Sequence, residues 1–329
     1  MNAPGELFDA AHTWLFESLV QPLLFAAGGM HLVEEAYLGT ELALFGAVEI
    51  VVMLALLRPL EALTAVEART DGQAIRTDVI YTVLTRLGVL PLLFFFTLLP
   101  LEAQLDGLLH GIGLVRPTLE TLIPPLTQHP LAAFFVYLVV LDLVAYWIHR
   151  WQHRFGWWWA LHAVHHSQRQ MTFWTDNRNH VFDDLIVALL TALVVRLIGV
   201  PPGQFIALAA GTALIENLSH ANTRFWFGSI GERLLVSPRF HRWHHAIGDG
   251  HEGRYRGINF AVLLPVWDRL FRTADFRAGS PSTGIRDQLG GANYGSGWWA
   301  QQTLGFRRLW QAMIPRTGRM NKLRPLRKR

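Results

Sequence analysis

Five apolar stretches in the first 220 residues dictate what this chain can fold into. Val79–Leu99 runs to Pro100, Leu131–Ile148 follows, and Phe182–Val200 ends at Pro201-Pro202-Gly203. Leu42–Leu57 and Gln204–Leu218 are shorter. A helix needs about 20 mostly apolar residues to cross the hydrocarbon of a bilayer, where backbone polar groups find partners only within the helix. Composition agrees: 51% of the 329 residues are hydrophobic and 16% are charged, against about 25% charged in a soluble domain. The expected fold is an all-α integral membrane protein with four to five transmembrane helices. Trp14–Met30 is also apolar, but Glu17, Gln21, Pro22 and Gly28-Gly29 break it, so it reads as interfacial or re-entrant. Met1–Ala11 holds Glu6 and Asp9 and no basic residue, so no cleavable signal peptide is expected.

Charge orients these spans, because short cytoplasmic loops collect Lys and Arg. The first 41 residues carry six acids and no Lys or Arg. Arg58, Arg69 and Arg76 follow the first span, four Arg lie between His149 and Val181, and 19 Lys and Arg follow His220. The expected topology is an outer N-terminus with the 58–78, 149–181 and C-terminal segments in the cytoplasm. Arg86, Asp142 and Arg196 fall within spans, where charge is costly and faces the protein interior. Ala278–Gly297 reads as a loop, Trp298–Trp310 as a short amphipathic interfacial helix, and Arg316–Arg329 as a basic tail that touches anionic lipid. Nothing else in the chain supports nucleic-acid binding.

The chain has 15 histidines and no cysteine. That excludes disulfides, iron–sulfur clusters and thiolate zinc sites. Eight histidines fall in three clusters: His149 and His153; His162, His165 and His166; His241, His244 and His245. Residues at i, i+3 and i+4 project from one side of a helix, so each cluster can aim its imidazoles at one point. The topology brings all three, with His220 at the end of the fifth span, to one membrane face. Nine imidazoles are too many for one ion and suit two. Imidazole favours Fe, Zn, Cu or Ni over Mg or Ca, and a dinuclear site of neutral ligands beside lipid suits oxygen activation by non-heme iron.

Other titratable groups are weighed beside them. His12, His31, His110, His129 and His251 read as ordinary surface or core residues. His180 is balanced between a ligand and a group that supports one. Glu216 and Asn217 precede His220 by four and three residues. Glu216 is either a ligand, an orienting group, or the partner of a buried cation such as Arg196. Asp142, Asp183 and Asp184 are candidates to accept an imidazole N–H. Rival readings stay open at this point: a zinc-dependent membrane hydrolase, a haem-binding electron carrier, and a non-catalytic metal-binding or transport protein.

The three clusters resemble the histidine boxes of the fatty acid hydroxylase superfamily, also called the sterol desaturase family. Leu161-His-Ala-Val-His-His-Ser167 is similar to its second box. Ser219-His-Ala-Asn222, Val236–His245 and Leu264–Phe271 resemble its bacterial branch. The resemblance covers Leu131–Thr273. It implies an integral-membrane, O2-dependent oxidase with two histidine-bound metal ions, taken as iron, with zinc as a possible substitute in isolated protein. Its ligands would be His149, His153, His162, His165, His166, His220, His241, His244 and His245, with His180 at a further histidine position of the family. It implies hydroxylation or desaturation of a lipid. No electron-transfer domain is visible in the sequence, so an external ferredoxin or reductase is expected. Val181 stands where a proline often follows that histidine. Asn259-Phe260-Ala261 and Arg272 stand where Asn-Tyr-Gly and a glycine are usual. The expected organisation is an N-terminal membrane region (1–130), a histidine-box domain (131–274) forming a cytoplasmic cap on its spans, and a C-terminal loop, helix and tail (275–329). The expected location is a bacterial inner membrane, crossed several times.

Overall fold

A computed structural model describes residues 4–90, 92, 104, 107–113 and 118–314. The end of the expected span Val79–Leu99 with Pro100, Arg116 and the tail Arg316–Arg329 lie outside the described residues. The principal helices are α1 (Pro4–Leu15), α2 (Val33–Thr64), α3 (Gly72–Arg86), α4 (Pro130–Arg154), α5 (Gly156–His166), α6 (Val181–Ile198), α7 (Pro202–His220), α8 (Pro238–His244) and α9 (Trp298–Met313). Among the described residues there is no β-strand, only one isolated bridge between Ala246 and Thr283. Two helices are long and apolar enough to cross a membrane, Met30–Thr64 and Pro130–Arg154. The helices α6 and α7 have 18 and 19 residues.

Local chemistry sets the helix ends. Proline stands in the first turn of α4, α7 and α8, where its missing N–H costs nothing. The side chains of Asp71 and Ser237 cap α3 and α8 by accepting from Ala74 N and Phe240 N, which satisfies orphan donors of the first turn. Gly199, at φ +69°, ends α6 in the left-handed conformation, which only glycine adopts without strain.

Apolar side chains face outward on α2 and α4, including Val51, Leu54, Leu131 and Phe135. Polar ones face inward, including Thr40, Glu61 and Asp142. A surface of that kind suits lipid. One apolar core, with Ala133, Tyr137, Val200 and Leu208, joins α4, α6 and α7. A second, with Tyr146, Val236, Phe240, Phe260 and Ala261, lies where α4 meets α8 and the following loops. Asp142, Tyr146 and His149 are all buried on one face of α4, as their spacing predicts. Arg86 lies between two acids, 3.0 Å from Glu49 and 3.5 Å from Asp176.

Candidate metal centre

The helices α4, α5, α7 and α8 bring nine buried histidines together in two groups. His149, His153, His162, His166 and His244 form one, and His165, His220, His241 and His245 the other. Within each group the ring nitrogens lie within 4.8 Å of one another. The rings of His166 and His245 stack across the two groups at 4.4 Å. Each histidine expected as a ligand belongs to one group.

Hydrogen bonds fix which nitrogen of each ring is free. Nδ1 of His149 donates to Phe260 O at 2.8 Å, that of His153 to Arg256 O at 3.1 Å, and that of His244 to Ile258 O at 2.8 Å. Nδ1 of His220 donates to Glu216 O at 2.8 Å, and that of His162 to Asp183 Oδ2 at 3.0 Å. With its proton on Nδ1, each of these rings presents a lone pair on Nε2. Nε2 of His153 and of His162 is buried without a hydrogen-bond partner.

Elsewhere Nε2 faces Nε2. The separations are 3.1 Å for His165–His220, 2.9 Å for His220–His241, 3.1 Å for His241–His245 and 3.1 Å for His166–His244. Imidazole nitrogens sit 2.0–2.1 Å from a first-row metal, so neighbouring ligands lie about 2.9 to 3.4 Å apart. His220 makes two such contacts while its own proton is committed to Glu216 O. The donor set therefore fits two metal ions, one in each group. Burial holds His165, His166, His241, His244 and His245 well below their ordinary pKa, and mutual repulsion adds to it. They stay neutral, as metal ligands must.

The acids divide. Asp183 is buried and also accepts from Gln152 Nε2 at 2.8 Å and Trp158 Nε1 at 2.6 Å, so it orients His162 as expected. Asp142 does not meet an imidazole. It accepts from Leu263 N, Leu264 N and Trp267 Nε1 at 2.9 to 3.0 Å, and so pins the loop after α8 to α4. His180 lies outside both groups. Its Nε2 donates to Gln302 O at 2.9 Å and its Nδ1 accepts from Phe182 N at 3.2 Å, which uses both nitrogens. Asn217 turns to Ala213 O at 2.6 Å.

Asp184 and Glu216 line a cavity of about 170 Å³ with His149, His162, His165 and His220. A second cavity of about 400 Å³ shares Ala145, Asp176, Thr191 and Glu216 with it and continues along Leu138, Phe205 and Leu208. The two cavities adjoin between α4, α6 and α7, and the second mixes these apolar side chains with Arg86, Asp142 and Asp176.

Residues 134–273, which carry all nine histidines, match the family described as fatty acid hydroxylase. Over these residues the chain is similar to the fatty acid hydroxylase family. It is similar to ornithine lipid hydroxylase OlsE of Rhizobium tropici, at 31% identity over 41% of this chain and 40% of the relative. It is also similar to alkylglycerol monooxygenase of Danio rerio, at 28% identity over 56% of this chain and 39% of the relative. The alkylglycerol monooxygenase of Homo sapiens matches at 28% identity over 40% of this chain. The matches span about two fifths or less of these relatives' length. No solved structure matches the chain significantly.

Two features of the site carry no clear signal in the sequence. One is the set of carbonyls of Arg256, Ile258 and Phe260, since a backbone acceptor leaves no residue signature. The other is Asp176, whose Oδ1 lies 3.5 Å from His220 Nδ1. Arg272, one departure from the family pattern, has φ of 60°, and Asn259, which keeps the pattern's asparagine, has φ of 56°.

Proposed function

We propose that this chain is a membrane-bound, O2-dependent di-iron oxidase that hydroxylates or desaturates an unactivated C–H bond of a lipid. The observation that carries the reading is the pair of inward-facing imidazole groups beside a cavity lined in part by Leu138, Phe205 and Leu208. Three His-rich helices and α7 supply nine neutral nitrogen donors, a set that suits iron and leaves the charge of the ions uncompensated near the cavity acids. When bound, two iron ions supply the redox chemistry that couples O2 reduction to C–H oxidation.

The chain's own residues do the rest. Asp183 and the carbonyls of Arg256, Ile258 and Phe260 hold protons on Nδ1 and so aim Nε2. Leu138, Phe205 and Leu208 exclude water and take an alkyl segment that enters between helices. The names of the relatives, an ornithine lipid hydroxylase and an alkylglycerol monooxygenase, support a lipid substrate. The proposed organisation has four to five spans, a histidine-box domain over 131–274 between regions 1–130 and 275–329, and the metal centre on the cytoplasmic side of a bacterial inner membrane. The proposed electron donor is an external ferredoxin or reductase.

Metal counting tests the site. Protein purified after iron-supplemented expression should hold close to two Fe per chain, and His244→Ala should lose at least one. Two Zn would leave the dinuclear site standing and the native metal to be found by reconstitution. One metal or none in folded protein would overturn the dinuclear reading.

A further inference from the structure

Helix α9 is built inside out for a helix in water. Its buried residues are Gln301, Gln302 and Gly305. Its outward residues include Trp299, Phe306, Trp310 and Met313, which are 77%, 42%, 68% and 64% exposed. They recur at i, i+7, i+11 and i+14, which is one helix face. A soluble surface helix has the opposite arrangement.

The stripe is held rigidly in place. Gln302 Nε2 donates to Tyr81 OH at 2.9 Å and to Asn179 O at 3.1 Å. Its Oε1 accepts from Val181 N at 2.9 Å, and its backbone oxygen accepts from His180 Nε2. A Cβ on Gly305 would lie 2.3 Å from the His180 ring, so the helix seats directly on the start of α6. The ring of Phe306 lies 4.9 Å from that of Phe182, at the beginning of this apolar helix. The exposed stripe therefore continues the apolar exterior where α6 begins.

The sequence that follows supplies the charge. Residues 316–329 contain seven Lys and Arg and no acid. Tryptophan concentrates at the membrane–water interface, and a basic cluster beside an apolar helix face is drawn to anionic headgroups. We propose that α9 lies on the surface of an anionic lipid bilayer, with Trp299, Phe306, Trp310 and Met313 among the headgroups. This rests on the reading that α2 and α4 cross that bilayer.

The chain has no cysteine, so single nitroxide labels are clean. The full chain would be placed in nanodiscs of phosphatidylcholine and phosphatidylglycerol with a label at Thr303→Cys or, independently, Met313→Cys, both exposed on α9. Val51→Cys on α2 serves as the membrane reference and Asp249→Cys as the aqueous one, both also exposed. The α9 labels should be severalfold more accessible to O2 than to an aqueous nickel chelate, as at Val51. Accessibility like that at Asp249 would overturn the proposal. Protection from both reagents would overturn it in favour of a protein partner. A Val51 label open to the chelate would instead sink the membrane reading and the proposal with it.

Discussion

Nδ1 of His162 and Oδ2 of Asp183 lie 3.0 Å apart, and both side chains are buried. Asp183 is the side-chain carboxylate nearest to an imidazole in either group. It sits on α6, which contributes no histidine to either group, so this contact ties α6 to the ligands. Asp183→Asn keeps the shape and removes the charge that fixes the His162 tautomer. Loss of such a partner typically costs about 10–100-fold in metal affinity. Chelator competition on the purified protein should show a weakening in that range, with Gln152→Ala, which removes only a neighbour of Asp183, causing less.

Ala145 lines both the cavity at the imidazoles and the larger cavity beside it. A larger side chain there narrows the path without touching a histidine. Ala145→Leu should abolish or sharply reduce lipid oxidation while metal content stays at the wild-type value. The added bulk should destabilise by about 1–3 kcal/mol. Unchanged turnover would mean that the substrate reaches the histidines another way.

The histidine groups were legible because their spacing is local: i, i+3 and i+4 share a face on any helix. The roles of the acids were not. Asp142 and Asp183 look alike in sequence, each an acid in an apolar run. Only the crossing of α4 with the loop after α8 turns Asp142 to Leu263 and Leu264. Likewise His180 beside an acidic helix start reads equally as ligand or cap, and the decision rests with Gln302, which is 122 residues away. The apolar stretches located helices well, but α2 extends beyond Leu42–Leu57 at both ends, to Val33 and Thr64, because polar residues such as Glu61 can be buried in a helix when other segments supply donors. Glu61 does so by accepting from Phe173 N and Asn222 N, both at 2.8 Å.

Acid should unfold the metal-free protein. His165, His166, His241, His244 and His245 are held well below their ordinary value of 6.5 by burial. Below pH 6.5 the unfolded chain binds protons that the folded chain refuses, so stability falls as pH falls. One pH unit below that value, each such histidine costs about 1 kcal/mol. Asp268 acts in the other direction, since burial raises it to about 6 and its penalty fades as pH falls through that value. Outside the apolar helices α2, α4, α6 and α7, this one raised carboxyl does not offset the five histidines. Thermal unfolding of the apoprotein should therefore shift down between pH 7.5 and pH 5.5, and a flat profile would contradict the neutral, buried state of these rings.

Arg272 holds φ at 60° with its side chain exposed. The left-handed conformation costs an ordinary residue roughly 1–2 kcal/mol, and glycine gives back part of the gain through its freer unfolded state. The backbone here follows the Asp268 cap: Asp268 O accepts from Thr273 N and Ala274 N at 2.8 and 3.1 Å, and Asp268 Oδ1 accepts from Thr273 Oγ1 at 2.6 Å. These bonds fix the turn, so a glycine would occupy it unchanged. Arg272→Gly should stabilise the protein by about 1 kcal/mol, read as a rise in the midpoint of thermal unfolding with metal content unaltered. A fall in the midpoint would mean that the arginine side chain contributes more than its backbone conformation costs.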